Sequence, residues 1–312
     1  MVGPSIEAAG LSKNYGSFAA LSSLDLKLEG AKCVGFLGPN GAGKTTTMKM
    51  LSGLISPTKG KALVNGVDIT VDKKGALASC ATLIETPEIY PSLSPKEAFS
   101  MLCEIRGVPK SERAKRIEDA LARVKMQEWA DKKVGGFSKG MKQRVNVAST
   151  LLSDPEVIIL DEPTTGLDPR GMSEVREIVK SLDDRLVFMS SHLLAEVTDV
   201  CQEVAMIDHG KLLVYDTIGN VTSRFAGGGQ SVEVGFARQV EEGTRSALSM
   251  LRGVQKVDTI NDKTLVVKYD PKATNQEALL QQMVGLNAGV NSFKGAASGL
   301  EDAYLSLIKE TL

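Results

Sequence analysis

The segment Gly38-Pro39-Asn40-Gly41-Ala42-Gly43-Lys44-Thr45 constrains the fold of this chain more than any other feature. It fits G-x-x-x-x-G-K-[ST], the pattern of a loop that wraps around a phosphate group. The apolar run before it, 31–37, predicts a short buried strand, and the run after it, 46–51, predicts the start of a helix. Strand, glycine loop and helix form the context that this motif requires, which disfavours the alternative of an ordinary glycine-rich turn.

The chemistry of such a loop follows from its backbone. Glycines let N–H groups turn towards an anion, and the helix N-terminus adds a partial positive charge. Lys44 is predicted to reach the β- and γ-phosphates of a nucleotide, and the Thr45 hydroxyl to bind Mg²⁺. The predicted nucleotide contacts here are Gly38, Pro39, Asn40, Gly41, Ala42, Gly43, Lys44, Thr45 and Thr46.

Composition narrows the class of protein. A chain of 312 residues predicts one large or two moderate domains, and 42% hydrophobic with 24% charged residues is ordinary for a globular protein. A net charge of −1 provides no broad basic surface, so no nucleic-acid partner is expected. No window approaches the roughly 20 apolar residues of a membrane span, and the N-terminus lacks a secretory pattern, so a cytoplasmic location is expected. The four scattered cysteines predict neither a disulfide framework nor a zinc site.

Short apolar runs alternate with helical patterns as far as about residue 225, which predicts an α/β fold with a mostly parallel sheet. Helices are predicted over 95–107, 111–126, 141–152 and 172–183. The first of them has a strong start signal, because Ser94, Pro95 and Glu97 fit a capping box with proline at the first helical position. The predicted strands are Val34–Leu37, Leu63–Val64, Ala81–Ile84, Val157–Leu160, Leu186–Met189 and Val204–Ile207.

The pattern changes after a glycine-rich linker at 227–231. Strand, helix, a hairpin around Asn261-Asp262-Lys263, helix and strand follow, and 300–308 predicts a last helix. The order β-α-β-β-α-β predicts a small ferredoxin-like α+β domain. The predicted organisation is a nucleotide-binding domain at 1–226, with a helical subdomain at about 88–153, and a C-terminal domain at 232–312.

The second informative feature of the sequence is a pair of carboxylates that follows an apolar run. Val157–Leu160 predicts a buried strand, and Asp161 and Glu162 come directly after it. Ligands of open parallel sheets bind at the carboxyl ends of the strands. Asp161 is therefore predicted to hold Mg²⁺, through water, and Glu162 to orient or polarise an attacking water. The alternative for this pair taken alone is an acidic turn after a core strand.

Three further motifs stand in a fixed order along the chain with the phosphate loop and the carboxylate pair. Ser138-Lys139-Gly140 opens a helix, Gly166-Leu167-Asp168 follows the carboxylate pair, and Ser191-His192 follows the next predicted strand. The series resembles the ATP-binding cassette (ABC) ATPase family over about residues 4–225. The resemblance implies a P-loop NTPase core with a helical signature subdomain, ATP and Mg²⁺ as cofactors, and ATP hydrolysis.

The resemblance also implies individual roles. Tyr15 matches the aromatic residue that stacks on adenine, and His192 matches the histidine near the γ-phosphate. Ser138 and Gly140 match the signature loop, which contacts the γ-phosphate held by a partner subunit. Asp168 matches the loop that communicates between the two sites. Two such domains, either two copies of this chain or this chain and a homologous subunit, would meet head to tail.

The chain departs from the family pattern at two places. The usual Leu-Ser-Gly-Gly-Gln is here Phe-Ser-Lys-Gly-Met, which introduces Lys139 without an assigned role. The lid-loop glutamine is replaced by Glu85, which could still bind Mg²⁺ through water but cannot donate a hydrogen bond when ionised. A glutamate at this place resembles the bacitracin- and lantibiotic-resistance exporters of the family.

The ending at 300–305 resembles the tail of ATPase subunits that pair with ABC-2-type permeases. The leading hypothesis is an ATP-hydrolysing subunit on the cytoplasmic face of the membrane that powers a separate permease, most consistent with an ABC-2-type exporter. The segment from Glu85 to about Met101 is the candidate permease contact. The alternatives are an ABC ATPase acting on ribosomes or DNA, and a sugar-recognising C-terminal domain with aromatic residues Phe236, Tyr269, Phe293 and Tyr304.

Overall fold

The computed structural model describes residues 3–85, 89–225, 230–286, 288–296, 300–301, 303–304 and 307. The chain divides into two compact units, Met1–Ile218 and Gly219–Leu312. None of the helices in the described part of the chain is long and apolar enough to cross a membrane.

The first unit contains ten strands and seven α-helices within its described residues. The strands are β1 (Ser5–Tyr15), β2 (Phe18–Glu29), β3 (Lys32–Leu37), β4 (Lys59–Val64), β5 (Val67–Asp68), β6 (Cys80–Leu83), β7 (Val157–Leu160), β8 (Leu186–Ser191), β9 (Glu203–Asp208) and β10 (Lys211–Thr217). The helices are α1 (Lys44–Leu51), α2 (Lys73–Ala76), α3 (Pro95–Ile105), α4 (Lys110–Arg123), α5 (Lys139–Leu151), α6 (Pro169–Lys180) and α7 (Leu194–Val200).

Six of these strands form the central sheet, in the order β10-β9-β3-β8-β7-β6. All neighbours are parallel except β9 and β10, which confirms the predicted α/β class with a mostly parallel sheet. Every residue of β7 and β8 is buried, because a parallel sheet is covered on both faces. Strand β7 is apolar throughout, and β8 is apolar as far as Met189, before it ends in Ser190 and Ser191. Strand β8 lies between β3 and β7, so the carboxyl ends of these three strands are neighbours.

A second sheet of the first unit is antiparallel and was not predicted. Its order is β2-β1-β4-β5. Leu24, Leu26 and Leu28 alternate along β2 and share one hydrophobic core with the central sheet and with α1. In that core the Phe36 and Phe188 rings lie 5.1 Å apart. The alternation of period two is the signal that could have predicted this half-buried strand.

The helices between β6 and β7 form the region of the predicted helical subdomain. Helix α3 begins with the predicted capping box, which is confirmed. The Glu97 N–H donates to Ser94 Oγ at 3.3 Å, and the Ser94 N–H donates to Glu97 Oε2 at 2.7 Å. Helix α5 begins after Ser138, and the preceding Phe137 is buried edge-on against Trp129.

The second unit contains α8 (Ile218–Phe225, with its first residue in the first unit), β11 (Gln230–Phe236), α9 (Glu242–Ser249), β12 (Val254–Asn261), β13 (Thr264–Tyr269), α10 (Gln276–Gly285) and β14 (Val290–Ala296). Its antiparallel sheet has the order β12-β13-β11-β14, which confirms the β-α-β-β-α-β arrangement and the hairpin at Asn261-Asp262-Lys263.

The predicted linker overlaps this sheet. Its residues 227–229 lie outside the described residues, whereas Gln230 and Ser231 already belong to β11. Of the predicted last helix, residues 300, 301, 303, 304 and 307 are described and helical.

Candidate functional site

The phosphate loop leaves β3 after Leu37 and enters α1 at Lys44. Gly41 and Gly43 have φ angles of 85° and 105°, in the left-handed region that favours glycine. A Cβ on Gly38 would lie 2.3 Å from the Ile207 carbonyl oxygen, and one on Gly43 would lie 2.7 Å from that of Ala20. Glycine is therefore required here both by backbone conformation and by close packing against neighbouring strands.

Lys44 is the buried cation of this loop, with 5% of its side chain exposed. Its Nζ donates to the carbonyl oxygens of Gly38 at 2.7 Å and Pro39 at 3.0 Å. The same atom lies 3.5 Å from Glu162 Oε1. A buried ammonium is unfavourable unless it is hydrogen-bonded and paired, and these contacts hold it beside the carboxylate.

Asp161 and Glu162 follow β7 as predicted, and one serine fixes both. Ser190 Oγ donates to Asp161 Oδ1 at 2.5 Å and accepts the Glu162 N–H at 2.9 Å. Ser190 reaches both because Leu160 pairs with Met189 in the parallel register. The sequence reasoning missed Ser190, whose only signal was its place immediately before Ser191-His192.

Three groups surround the Glu162 carboxylate. Thr165 Oγ1 donates to Oε2 at 2.8 Å, and His192 Nδ1 lies 3.1 Å from the same oxygen, while Lys44 approaches Oε1. Burial alone would raise the pKa of Glu162. The hydrogen bond from Thr165, the interaction with His192 and the positive charge of Lys44 outweigh burial and hold the pKa below its usual value. Glu162 is therefore kept in its ionised, basic form.

Two aromatic side chains stand beside the phosphate loop. Tyr15 and Phe18 pair across the β1–β2 hairpin, with 49% and 63% of their surface exposed. Both line a cleft of about 240 Å³ together with Lys44, Thr45 and Glu162. The sequence reasoning singled out Tyr15 and missed Phe18, which becomes a second candidate for contact with a base.

The signature motif lies at the start of α5. Ser138 caps α5 by accepting the Met141 N–H at 3.2 Å, and Asp168 caps α6 by accepting the Gly171 N–H at 3.0 Å. A Cβ on Gly140 would lie 3.5 Å from the Gly171 Cα, so the two helix starts are close neighbours. Among the described residues that line the phosphate-loop cleft, Ser138, Gly140 and Asp168 do not occur.

Lys139 and Glu85, the two departures from the family pattern, each contact a neighbouring segment. The Lys139 ammonium lies against the loop that follows Glu162, because a Cβ on Gly166 would fall 2.3 Å from Lys139 Nζ. Glu85 forms an ion pair with Lys49 of α1 and is otherwise largely exposed. That ion pair raises the pKa of Lys49.

The residues at the loop also suit a magnesium ion. Mg²⁺ takes oxygen ligands, retains several waters, and is usually held by one or two carboxylates together with substrate phosphates. Thr45 offers a hydroxyl at the start of α1, and Asp161 offers a carboxylate at the end of β7. This donor set fits the ion.

The glycine loop and the two carboxylates meet at the carboxyl edge of a parallel sheet. This fold and this site define the class of protein as a P-loop nucleoside triphosphatase. The family profile described as "ABC transporter" matches residues 21–165. An uncharacterized ABC transporter ATP-binding protein of Bacillus subtilis (strain 168), YcbN, is 31% identical over 97% of this chain and 96% of its own length.

Two other similarities agree with this. The bacitracin transport ATP-binding protein BcrA of Bacillus licheniformis is 40% identical over 67% of this chain and 68% of its own length. The solved structure of an ATP binding subunit of an ABC transporter superposes with a TM-score of 0.64, at 26% identity, over 70% of this chain and 92% of that one. The chain belongs to the ATP-binding proteins of ABC transporters, and it is an ATPase.

Proposed function

We propose that this chain is the ATP-hydrolysing subunit of an ABC-2-type exporter and that it powers a separate membrane permease. The assignment of ATP hydrolysis rests on the position of Glu162. Its carboxylate lies 3.1 Å from His192 Nδ1 and 3.5 Å from Lys44 Nζ at the mouth of the phosphate loop. A carboxylate kept ionised at this place can accept the proton of an attacking water.

The other residues of the site have complementary roles in this proposal. Lys44 and the loop N–H groups bind the β- and γ-phosphates of ATP, and Tyr15 and Phe18 contact the adenine. His192 orients Glu162 and the γ-phosphate. Thr45 and Asp161 would hold Mg²⁺, with Glu85 as an additional ligand through water. The bound ion would neutralise charge that develops on the phosphates.

Dimerisation completes the site in this proposal. Ser138 and Gly140 would contact the γ-phosphate held by a second chain, either another copy or a homologous subunit, and Asp168 would couple the two sites. The contact between the starts of α5 and α6 supports this, because it brings the signature loop next to the helix that Asp168 caps.

Export is supported by similarity and by an exposed apolar surface. BcrA, which its name describes as a bacitracin transport protein, is 40% identical to this chain over two thirds of its length. The proposed permease contact, from Glu85 to about Met101, includes Tyr90 and Met101, whose surfaces are 70% and 52% exposed. Its residues 86–88 lie outside the described part of the chain. The ATPase would then act on the cytoplasmic face of the membrane.

Glu162→Gln tests the catalytic assignment. Loss of the general base should lower ATP turnover by at least about a hundredfold and leave ATP binding intact, so the variant should accumulate as an ATP-bound dimer. Phosphate release and light scattering measure the two effects. Glu156→Gln is the matched control, since Glu156 is an exposed carboxylate at the opposite end of β7. Normal turnover by Glu162→Gln would remove Glu162 from its role.

The same trapped variant tests the transporter assignment. Affinity purification of tagged Glu162→Gln with ATP from its native membranes should recover a protein with several hydrophobic spans. Recovery of ribosomal or DNA-bound proteins, with no membrane protein, would contradict the exporter proposal.

A further inference from the structure

Glu196 is a buried acidic side chain that the proposed mechanism does not use. It lies on α7, with 2% of its surface exposed. The described residues give it no cationic partner within ion-pair distance, although removing a carboxylate from water carries a large desolvation penalty. Its side-chain partners are two hydroxyl groups, Thr164 Oγ1 at Oε1 and Ser191 Oγ at Oε2.

The first hydroxyl belongs to the loop that follows Glu162. Thr164 precedes Thr165, whose own hydroxyl donates to Glu162 Oε2 at 2.8 Å. Gln143 of α5 donates to the Pro163 carbonyl at 2.7 Å and is a second anchor of the same loop. Glu196 therefore anchors the segment that carries one of the hydrogen-bond donors to Glu162.

The second hydroxyl belongs to the turn that carries His192. Ser191 Oγ donates to Glu196 Oε2 at 2.5 Å and accepts the Leu193 N–H at 2.9 Å. These two bonds fix the backbone on both sides of His192, whose Nδ1 lies 3.1 Å from Glu162 Oε2. Glu196 thus joins both segments whose side chains meet on one oxygen of Glu162.

We infer that Glu196 is a positioning residue for ATP hydrolysis, which holds Thr165 and His192 in register on the carboxylate of Glu162. This inference rests on the proposed roles of Glu162 and His192. A carboxylate suits the position because its two oxygens accept both hydroxyl protons. A glutamine offers one acceptor and one NH₂ group, so one of the two hydroxyls would have to turn from donor to acceptor, and both bonds would lose the charge of the carboxylate.

The test is steady-state ATP hydrolysis by the purified full-length chain with Glu196→Gln. We expect kcat to fall roughly tenfold to a hundredfold, as small displacements of catalytic groups produce, with KM and ATP affinity within about twofold of the wild type. Glu203→Gln is the matched control, because Glu203 is also a largely buried carboxylate, paired with Lys32 on the far side of the domain. Its kcat should remain within about twofold of the wild type.

A double-mutant cycle with His192→Ala separates positioning from general damage. If Glu196 acts through His192, Glu196→Gln should lower kcat by a smaller factor in the His192→Ala background than in the wild type. Equal factors in the two backgrounds, or a wild-type kcat for Glu196→Gln, would overturn the inference. Thr164→Val and Ser191→Ala remove one anchor each and leave Glu196 in place, so each should also lower kcat, which provides the test if Glu196→Gln folds poorly; a wild-type kcat in both would overturn the inference.

Parallel measurement of Glu162→Gln keeps the two claims distinguishable. Loss of turnover in Glu162→Gln together with normal turnover in Glu196→Gln would refute the positioning role alone. Normal turnover in Glu162→Gln would refute the proposed function on which that role rests.

Discussion

The two units of the chain differ in what they bury. In the first unit, charged and hydroxyl-bearing side chains lie in the interior at the carboxyl edge of the sheet, among them Lys44, Asp161, Ser190, Ser191 and Glu196. In the described part of the second unit, the core consists of apolar and aromatic side chains, and Ser231 is the buried polar residue. Buried polar groups are unfavourable unless they are satisfied, so a fold retains such a cluster only where every member has a partner.

The two units should therefore respond differently to substitution. Substitutions at the polar edge of the first unit should change nucleotide chemistry more than stability. Substitutions in the second unit should change stability and leave nucleotide chemistry alone. Four measurements test these expectations, and the last of them concerns the smallest change.

Lys44→Ala should lower ATP affinity by about a hundredfold. The substitution removes the cation that the loop carbonyls hold beside Glu162, and each 1.4 kcal/mol of lost binding is tenfold in affinity. Equilibrium binding of a fluorescent ATP analogue measures the change. Lys73→Ala is the control, because Lys73 is an exposed lysine that also donates to a backbone carbonyl, that of Gly53. Unchanged affinity in Lys44→Ala would count against the phosphate-loop assignment.

Leu265→Ala should reduce the free energy of unfolding of the second unit by about 2–5 kcal/mol, because it opens a cavity at a fully buried site. Hydrogen exchange localised to β11 and β13 measures this loss. ATP turnover at a temperature where the variant stays folded should match the wild type. A volume-conserving Leu265→Ile should be far milder. A drop in turnover that parallels the loss of stability would break the proposed separation of the two units.

Tyr15→Ala should weaken ATP binding by roughly 1–3 kcal/mol, the range of an aromatic ring stacked on a base. Inorganic triphosphate has no base, so its affinity should not change, and competition assays with both ligands separate stacking from damage to the loop. Phe18→Ala, at the register partner of Tyr15, shows which ring makes the contact. Equal losses for ATP and triphosphate would contradict base stacking at Tyr15.

The smallest effect is a pH dependence at the start of α3. A hydrogen bond from Lys133, followed by the bonds with Ser94, lowers the pKa of Glu97 from 4.5 to about 2. A lowered folded-state pKa stabilises the fold above the unfolded value, and this contribution disappears as the pH falls through the folded value. The difference in unfolding free energy between wild type and Glu97→Gln should therefore shrink between about pH 5 and pH 2. A difference that stays constant over this range would contradict the assignment.

Much of the fold was predictable because its signals are local. Continuous apolar runs predicted the parallel strands, and the capping box at Ser94 predicted the start of α3. The β1–β2 sheet was overlooked although Leu24, Leu26 and Leu28 alternate, because its pairing with β4 joins segments about fifty residues apart. The fold of the second unit was predicted from the order of its strands and helices. That order could be recognised from the hairpin and from the alternation of apolar residues along the strands.

Sequence motifs alone were enough to identify the glycine loop, Lys44, the carboxylate pair and the histidine, because the chemistry of each motif depends on adjacent residues. Three contacts became visible only in the folded chain: Phe18 joins Tyr15 in the cleft, Ser190 links Asp161 and Glu162, and Glu196 anchors both segments around Glu162. Ser190 and Glu196 bond residues 29 and 32 positions away. Such contacts depend on which strands are neighbours and in what register, and no local pattern specifies that.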